Sequence, residues 1–206
     1  MILASGSPRR AKILRDLGID FEILKTDADE TAIPHDPVRT VTGNALAKLR
    51  AAAAVAEAPP RLILAADTIV WFDGRIYGKP RGLDEAKEFL RELSGRTHSV
   101  FTGVAFRAGD GTERTACAES RVTFRELTEE AISDYVLRVR PTDRAGAYDI
   151  DESGDLIVAS YDGSYENIMG LPVEPLRAFG LCTPPISPQN LRFSDFCTAK
   201  TGHAVE

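Results

Sequence analysis

The opening stretch, residues 1–18 (MILASGSPRRAKILRDLG), constrains this chain more than any other. Met1 to Ala4 are apolar or small and run into Ser5-Gly6-Ser7, which predicts a buried strand ending in a tight turn. A helix should follow, because the Ser7 oxygen can accept from free first-turn amides and Pro8 suits the first helical position, where no amide hydrogen is needed. Gly18 supplies the stop. Ile13, Leu14 and Leu17 fall on one face, which sets Arg9, Arg10 and Lys12 outward. Free amides, two small hydroxyls and two guanidinium groups at a strand-to-helix junction make a cradle for phosphate or another polyanion. Cations at a helix N-terminus are unfavourable, so an anionic ligand would relieve a strain of charge in the free protein. A capped surface helix with solvated arginines is the other reading these residues allow.

Further along, residues 21–24 suggest a short strand and residues 26–31 a polar acidic loop carrying Glu30. A helix over 37–56 sets Val38, Val41, Ala45, Leu46, Leu49 and Ala53 near one face, with Lys48 and Arg50 elsewhere, and Pro59-Pro60 ends it. Residues 62–66 form a continuous apolar run, as in a strand buried on both faces, ending at Asp67-Thr68. Open α/β sheets hold ligands at such strand ends. Residues 69–72 and 75–77 flank Asp73-Gly74 as a hairpin, followed by the Gly78-Lys79-Pro80 loop. Asp84 is placed to cap a helix burying Ala86, Phe89, Leu90 and Leu93 before Gly95. Antiparallel strands over 99–107 and 113–124 come next, then a helix capped by Thr128 with Ala131, Ile132, Tyr135 and Val136 inward and Pro141 closing it. A strand over 156–161, a small and polar loop over 163–172 and a helix over 172–179 complete the pattern. These elements describe one domain over residues 1–182, with a flexible or docked tail over 183–206 marked by Pro184, Pro185 and Pro188.

Composition narrows the function classes. With 206 residues and 43% hydrophobic content the chain can bury a real core. A net charge of -6 argues against general binding to nucleic acid or an anionic membrane, so any phosphate must be met locally. No apolar run approaches the roughly 18 residues of a membrane span, and the N-terminus lacks a signal peptide's charged start and cleavage site, so the expected location is cytoplasmic. Cys117, Cys182 and Cys197 are widely separated and form no CxxC pair, which suggests neither a disulfide framework nor zinc. The chain lacks a P-loop, a GxSxG elbow, dinucleotide-fold glycine spacing and any HExxH pairing of His35, His98 or His203.

What remains is a polyanion chemistry. Arg9, Arg10, Lys48 and Lys79 can neutralise a polyphosphate, while Glu30 and Asp67 can hold a hard divalent cation through carboxylate oxygens. Such a cation bridges phosphate oxygens and lowers the pKa of bound water, and a neighbouring carboxylate can accept the proton. Asp67 is the strongest candidate, since a carboxylate after the most hydrophobic strand needs a partner or ligand to offset desolvation. A strand-end aspartate capping its turn is the alternative, as solvated residues are for Glu30, Lys48 and Lys79.

Taken in order, residues 3–10 (LASGSPRR), Asp29-Glu30, Ala66-Asp-Thr68, Gly78-Lys-Pro80, Thr102-Gly-Val104, Ala145-Gly-Ala-Tyr148, Gly163-Ser-Tyr-Glu-Asn167 and Gly170-Leu-Pro172 resemble the Maf family of nucleoside triphosphate pyrophosphatases. The resemblance implies an α/β, two-lobed fold like that of inosine triphosphate pyrophosphatases, with a central mixed twisted sheet and a deep cleft. It implies hydrolysis of the α-β phosphoanhydride to monophosphate and pyrophosphate with Mg2+ or Mn2+, as nucleotide-pool house-cleaning, and often a homodimer. Matched by position, Ser5, Arg10, Lys48 and Lys79 bind phosphates, Glu30 helps hold metal and Asp67 accepts the proton, so that Asp67, Lys79, Glu30 and Lys48 form the catalytic set. Arg9 and Thr68 resemble the branch acting on dTTP and UTP.

One segment departs from that branch. Where it usually reads Gly-Ala-Tyr-Gly-Ile-Gln-Gly, this chain reads Gly146-Ala-Tyr-Asp-Ile-Asp-Glu152. Asp151 replaces the glutamine associated with specificity, and an ionised carboxylate accepts but does not donate. Pyrimidine selectivity is therefore expected to weaken toward bases with more donors, such as guanine. Asp149 and Glu152 replace glycines, and a positive φ at either would suit Asp better than Glu. A non-catalytic nucleotide sensor regulating septum formation or growth, and an enzyme cleaving another phosphoanhydride, remain the competing readings.

Overall fold

The computed structural model describes residues 1–56 and 61–182. The opening stretch folds as its residues dictate: β1 (Ile2–Leu3) leads through the Ser5-Gly6-Ser7 turn into α1 (Pro8–Asp16). The Ser7 side chain accepts the Arg10 amide, and Gly18 leaves the helix at φ +70°. A short β2 (Glu22–Ile23) precedes the acidic loop and α2 (Pro37–Val55), whose first turn is capped by Asp36. Next come β3 (Ile63–Phe72) and β4 (Arg75–Tyr77), closed by Asp73 and Gly74 at φ 48° and 78°, the paired positive values of the favoured two-residue hairpin turn. Then follow α3 (Leu83–Leu93), β5 (Thr97–Arg107), β6 (Glu113–Phe124), α4 (Glu129–Val139), β7 (Val158–Asp162), α5 (Tyr165–Ile168) and α6 (Val173–Ala178).

All seven strands of the described residues join one mixed sheet in the order β2-β1-β3-β5-β6-β7, with β4 also on β3. The β2-β1-β3 part is parallel and the remainder antiparallel. β1 pairs with β3 only at Ile63 and Leu64, and β4 only from Val70 onward, so between them one edge of β3 has no strand partner. A cleft opens there. The pleat of β3 sorts its side chains: Ile63 and Ala65 pack with α2, and Leu64 and Ala66 with α1 and α6 on the other face. A second lobe is built by α3, α4 and the ends of β5 and β6 around Phe89, Phe124, Tyr135 and Tyr148. The architecture is thus the α/β fold expected, with a mixed sheet and helices on both faces.

Several local expectations need correction. The apolar strand does not end at Asp67 but continues to Phe72, because Asp67 is paired with Gly103 of β5 inside the ladder. Val38 is 44% exposed, since the first turn of α2 precedes its contact with the sheet, and Ala131 is exposed in the first turn of α4. The cap of α3 is Gly82 with no side-chain bond, and Asp84 lies inside the first turn, where its charge favours the helix dipole. The loop over 163–172 contains the single turn α5, capped by Ser164. Pro59-Pro60 and the tail over 183–206 lie outside the described residues. No helix among the described residues is long and apolar enough to cross a membrane.

His98 is a load the second lobe carries. It is 2% exposed, stands edge-on to Phe124 and Tyr148, and meets only the Tyr148 hydroxyl, at 3.1 Å from Nε2. Burial lowers its pKa from 6.5 to about 4. The unfolded chain therefore binds this proton from about pH 6.5 downward while the folded chain refuses it until about pH 4, so its contribution is intact above the first value and lost toward the second. Denaturant unfolding from pH 7 to 4 should show a loss of roughly 3 kcal/mol attributable to this group. His98→Gln should flatten that part of the pH profile, and an unchanged profile would refute the assignment.

Candidate active site

The site begins with a missing side chain. A Cβ at Gly103 would lie 2.4 Å from the backbone carbonyl of Val41, so α2 rests directly on β5 there. Gly103 is the ladder partner of Asp67. Asn44 and Lys48 follow Val41 by three and seven residues, one and two helical turns along the same face, and so arrive over Asp67. Lys48 Nζ donates to Asp67 Oδ1 at 2.6 Å and also meets Glu30 Oε1 at 2.7 Å. Asn44 Nδ2 donates to Asp67 Oδ2 at 2.9 Å. The Asn44 side chain also accepts the Thr31 amide at 2.9 Å and reaches the Thr31 carbonyl at 3.1 Å, which pins the acidic loop beside Glu30. Asp67 is only 5% exposed, and these donors offset the desolvation of its charge.

The next residue of β3 faces the other way. Thr68 Oγ1 accepts from Arg10 Nη2 and meets its cross-strand neighbour Thr102 Oγ1, both at 3.0 Å. Arg10 therefore corrects the sequence expectation: its guanidinium turns inward, donating also to Ser5 Oγ at 3.0 Å and to the Gly170 carbonyl at 2.8 Å. Three neutral acceptors make that burial tolerable. Burial nonetheless lowers its pKa to about 10, which leaves it charged at neutral pH. Gly170 is needed for the arrangement, with φ at +101° and a virtual Cβ 3.2 Å from Thr68 Oγ1. Lys12 does point outward, to Asp16.

A third group stands on the wall formed by residues 144–152. Asp149 accepts from Arg144 Nε at 2.7 Å and Arg9 Nη1 at 3.2 Å. Burial works against its charge, but the bonds from Arg144 and the Asp151 amide, with the nearby Arg9, hold its carboxyl below the usual range. Neither Asp149 nor Glu152 adopts a positive φ; Gly146 and Ala147 of this segment do, at 69° and 59°, and so does Ser153 just after it, at 58°.

All three groups line one cavity of about 700 Å3. Ser5, Arg9, Arg10, Glu30, Lys48, Asp67, Thr68 and Lys79 are on its surface, as the sequence predicted; Asp151 is not. Asp151 is exposed beside Tyr165, whose hydroxyl donates to it at 3.0 Å. Lys79 is exposed at the rim with no ion pair among the described residues. Asn44, Lys25, Arg144 and Asp149 went unassigned by sequence reasoning. For Asn44 a signal existed: it is a polar residue inside the apolar stripe between Val41 and Lys48. Asp149 is marked in the sequence only as a replaced glycine: Arg144 lies five residues before it, but Arg9 lies 140 residues away.

Chemically, the cavity offers cations for phosphate oxygens and one well-held carboxylate as a proton acceptor. Glu30 and Asp67 also fit a magnesium-like ion. Their oxygens already converge on a single positive charge, the Lys48 ammonium, and such an ion needs only one or two carboxylates when substrate phosphates and waters complete its shell. Among the described residues no group of three His, Cys, Asp or Glu side chains forms a full protein cage.

Known proteins are similar to this chain over most of its described length. The family model described as Maf-like protein matches residues 1–179. A dTTP/UTP pyrophosphatase of Bacillus anthracis is 44% identical over 181 residues, covering 85% of this chain and 91% of its own, and one of Bacillus cereus matches to the same extent. The solved structure of the Staphylococcus aureus Ham1 protein aligns with a TM-score of 0.50 at 14% identity, covering 86% of this chain and 96% of that one. That likeness supports the fold.

The contact at Gly103 sets a stability test with an internal control. Gly103→Ala should cost at least about 2 kcal/mol in denaturant unfolding, because backbone must move to admit the methyl group. Gly43→Ala, in the same helix with nothing within 4 Å of its Cβ position, should instead stabilise by about 0.5–1 kcal/mol. Equal effects at both positions would show that α2 is not seated on β5 in this way.

Proposed function

The chain belongs to the Maf family, and from that premise we propose that it is a nucleoside triphosphate pyrophosphatase acting on dTTP, UTP or modified pyrimidine nucleotides. The observation that carries the reading is Asp67, a nearly buried carboxylate held by Lys48 and Asn44 in a cavity otherwise furnished for polyphosphate. In the free protein Lys48 is shared between Asp67 and Glu30. An arriving triphosphate competes for that ammonium and for Lys79 at the rim, while Ser5 and Arg10 cradle phosphate oxygens at the start of α1.

Asp67 then accepts a proton from a water whose oxygen attacks the α phosphorus. The bond from that phosphorus to the α-β bridging oxygen breaks, and the bridging oxygen leaves with pyrophosphate. Nucleoside monophosphate remains. Developing charge on the phosphate oxygens is met by Lys48, Lys79 and Arg10. A divalent cation, Mg2+ or Mn2+, held by Glu30 and Asp67 would supply further charge neutralisation and a more acidic bound water. Such a reaction belongs with the nucleotide pool of the cytoplasm, where we place the protein.

Turnover of dTTP and UTP with magnesium or manganese should release pyrophosphate and monophosphate, stop on chelation and resume when the metal is restored. Asp67→Asn should lower kcat on the order of a thousandfold while leaving the protein folded. Release of orthophosphate would point to another phosphoanhydride. Nucleotide binding without turnover under either metal would favour a sensor over an enzyme.

A further inference from the structure

We propose that Asp149 is a positioning residue of the nucleotide site, strapping Arg9 across the cavity so that its guanidinium is set for the base before substrate arrives. Asp149 is rooted in the second lobe: its amide donates to the Tyr135 hydroxyl of α4 at 2.9 Å, and that hydroxyl reaches its carbonyl at 3.3 Å. Arg9 belongs to the first turn of α1, and the Arg9–Asp149 bond at 3.2 Å joins residues 140 apart in sequence. It is a contact between the two sides of the cavity.

The carboxylate itself has nothing left to offer a ligand. Its Oδ2 accepts from Arg9 and Arg144, and its Oδ1 accepts the amides of Asp151 at 2.9 Å and Glu152 at 3.4 Å. A carboxylate has about four acceptor sites, so all are engaged. Asp149 therefore acts through Arg9. Of the five guanidinium N–H donors of Arg9, one is used here, leaving the others for carbonyl oxygens such as those of a uracil or thymine ring. Tyr148 and Ile150, its chain neighbours, line the same wall and offer apolar surface to a planar base.

Removing the carboxylate affects the two arginines differently. Arg144 keeps Asp143 at 2.5 Å and Glu152 at 3.0 Å. Arg9 has no other ion pair among the described residues, and it stands close enough to buried Arg10 for their charges to repel. A freed Arg9 must be ordered anew each time substrate binds, which corresponds to about a tenfold loss of affinity. The chemistry at Asp67 is left in place.

This inference rests on the pyrophosphatase reading above, and one set of measurements separates the two. Steady-state kinetics with UTP and dTTP would compare wild type, Asp149→Asn, Arg9→Gln and the double variant. Expected are a KM raised about tenfold by either single change, kcat within about twofold of wild type, and a double variant no worse than the poorer single one. An unchanged KM in Asp149→Asn, a fall confined to kcat, or effects that multiply in the double variant would overturn the positioning role. If Asp149→Asn fails to fold, Asp149→Gly enters the same cycle, and failure of both to fold would overturn it in favour of a structural role. A wild type that turns over neither nucleotide refutes the pyrophosphatase reading, and calorimetric Kd values for UTP, run through the same cycle, then decide the role of Asp149 alone.

Discussion

The contact between α2 and β5 at Gly103 is the constraint on which the site depends. Hydrogen at that position lets the helix backbone descend onto the strand, and the descent sets the height of Asn44 and Lys48 above Asp67. A side chain there would press the helix off the strand and disturb that height. The same seating buries Val41, Ala45, Leu49 and Ala52, so packing energy and catalytic geometry are specified by one helix face. A buried carboxylate in the middle of a strand is otherwise a poor choice for stability, because an unpaired charge there is strongly disfavoured. It is tolerated because its donors come from an element that the apolar core already holds.

Apart from Lys79 at the rim, the charge that lines the cavity is arranged chiefly in sets that are complete without a ligand. Lys48 lies between two carboxylates, Asp149 between two arginines, and Arg10 among three neutral oxygens. Each set is partly or wholly buried, so each member would raise the energy of the free protein if left alone. Ligand binding is then an exchange of partners rather than the filling of a bare electrostatic well. Lys48 is the member best placed for exchange, since Glu30 is half exposed and can take solvent when the ammonium turns to phosphate. Arg10 is the least, being tied on three sides to the turn between β1 and α1, to β3 and to the turn before α6. The two residues adjacent in β3, Asp67 and Thr68, thus serve a movable set and a fixed one on opposite faces of one strand.

Much of this was legible in the sequence where local rules decide. The Ser7 cap, Pro8, the Gly18 stop, the Asp73-Gly74 hairpin and the Thr128 cap each follow from one residue's backbone preference, and the structure has them all. The ordered motifs identified the family and eight of the residues that line the cavity. What local rules misplace is decided by tertiary pairing. Asp67 interrupts an apolar run and so reads as a strand end, yet the ladder to β5 carries the strand through it. Arg10 follows the helical wheel outward, yet a carbonyl 160 residues away draws its guanidinium in. Asn44 reads as a blemish in an apolar stripe until its partners Asp67 and Thr31 are seen.

The segment 145–152 shows how the same backbone can acquire a different electrostatic role. Its positive-φ residues are Gly146 and Ala147, with Ser153 just beyond it, none of them where the sequence departs from the resembling branch, so the acidic replacements leave the path of the chain unburdened. They act through side chains alone. At 151 the carboxylate turns to Tyr165 outside the cavity, whereas at 149 it turns inward to two arginines. The pleat of an extended stretch, which sends alternate residues opposite ways, does not separate 149 from 151; the amides of Asp151 and Glu152, folded onto Asp149 Oδ1, do. A turn wound around its own aspartate therefore chooses which of two neighbouring carboxylates meets the site, and it places the negative charge where Arg9 would otherwise have no ion pair among the described residues.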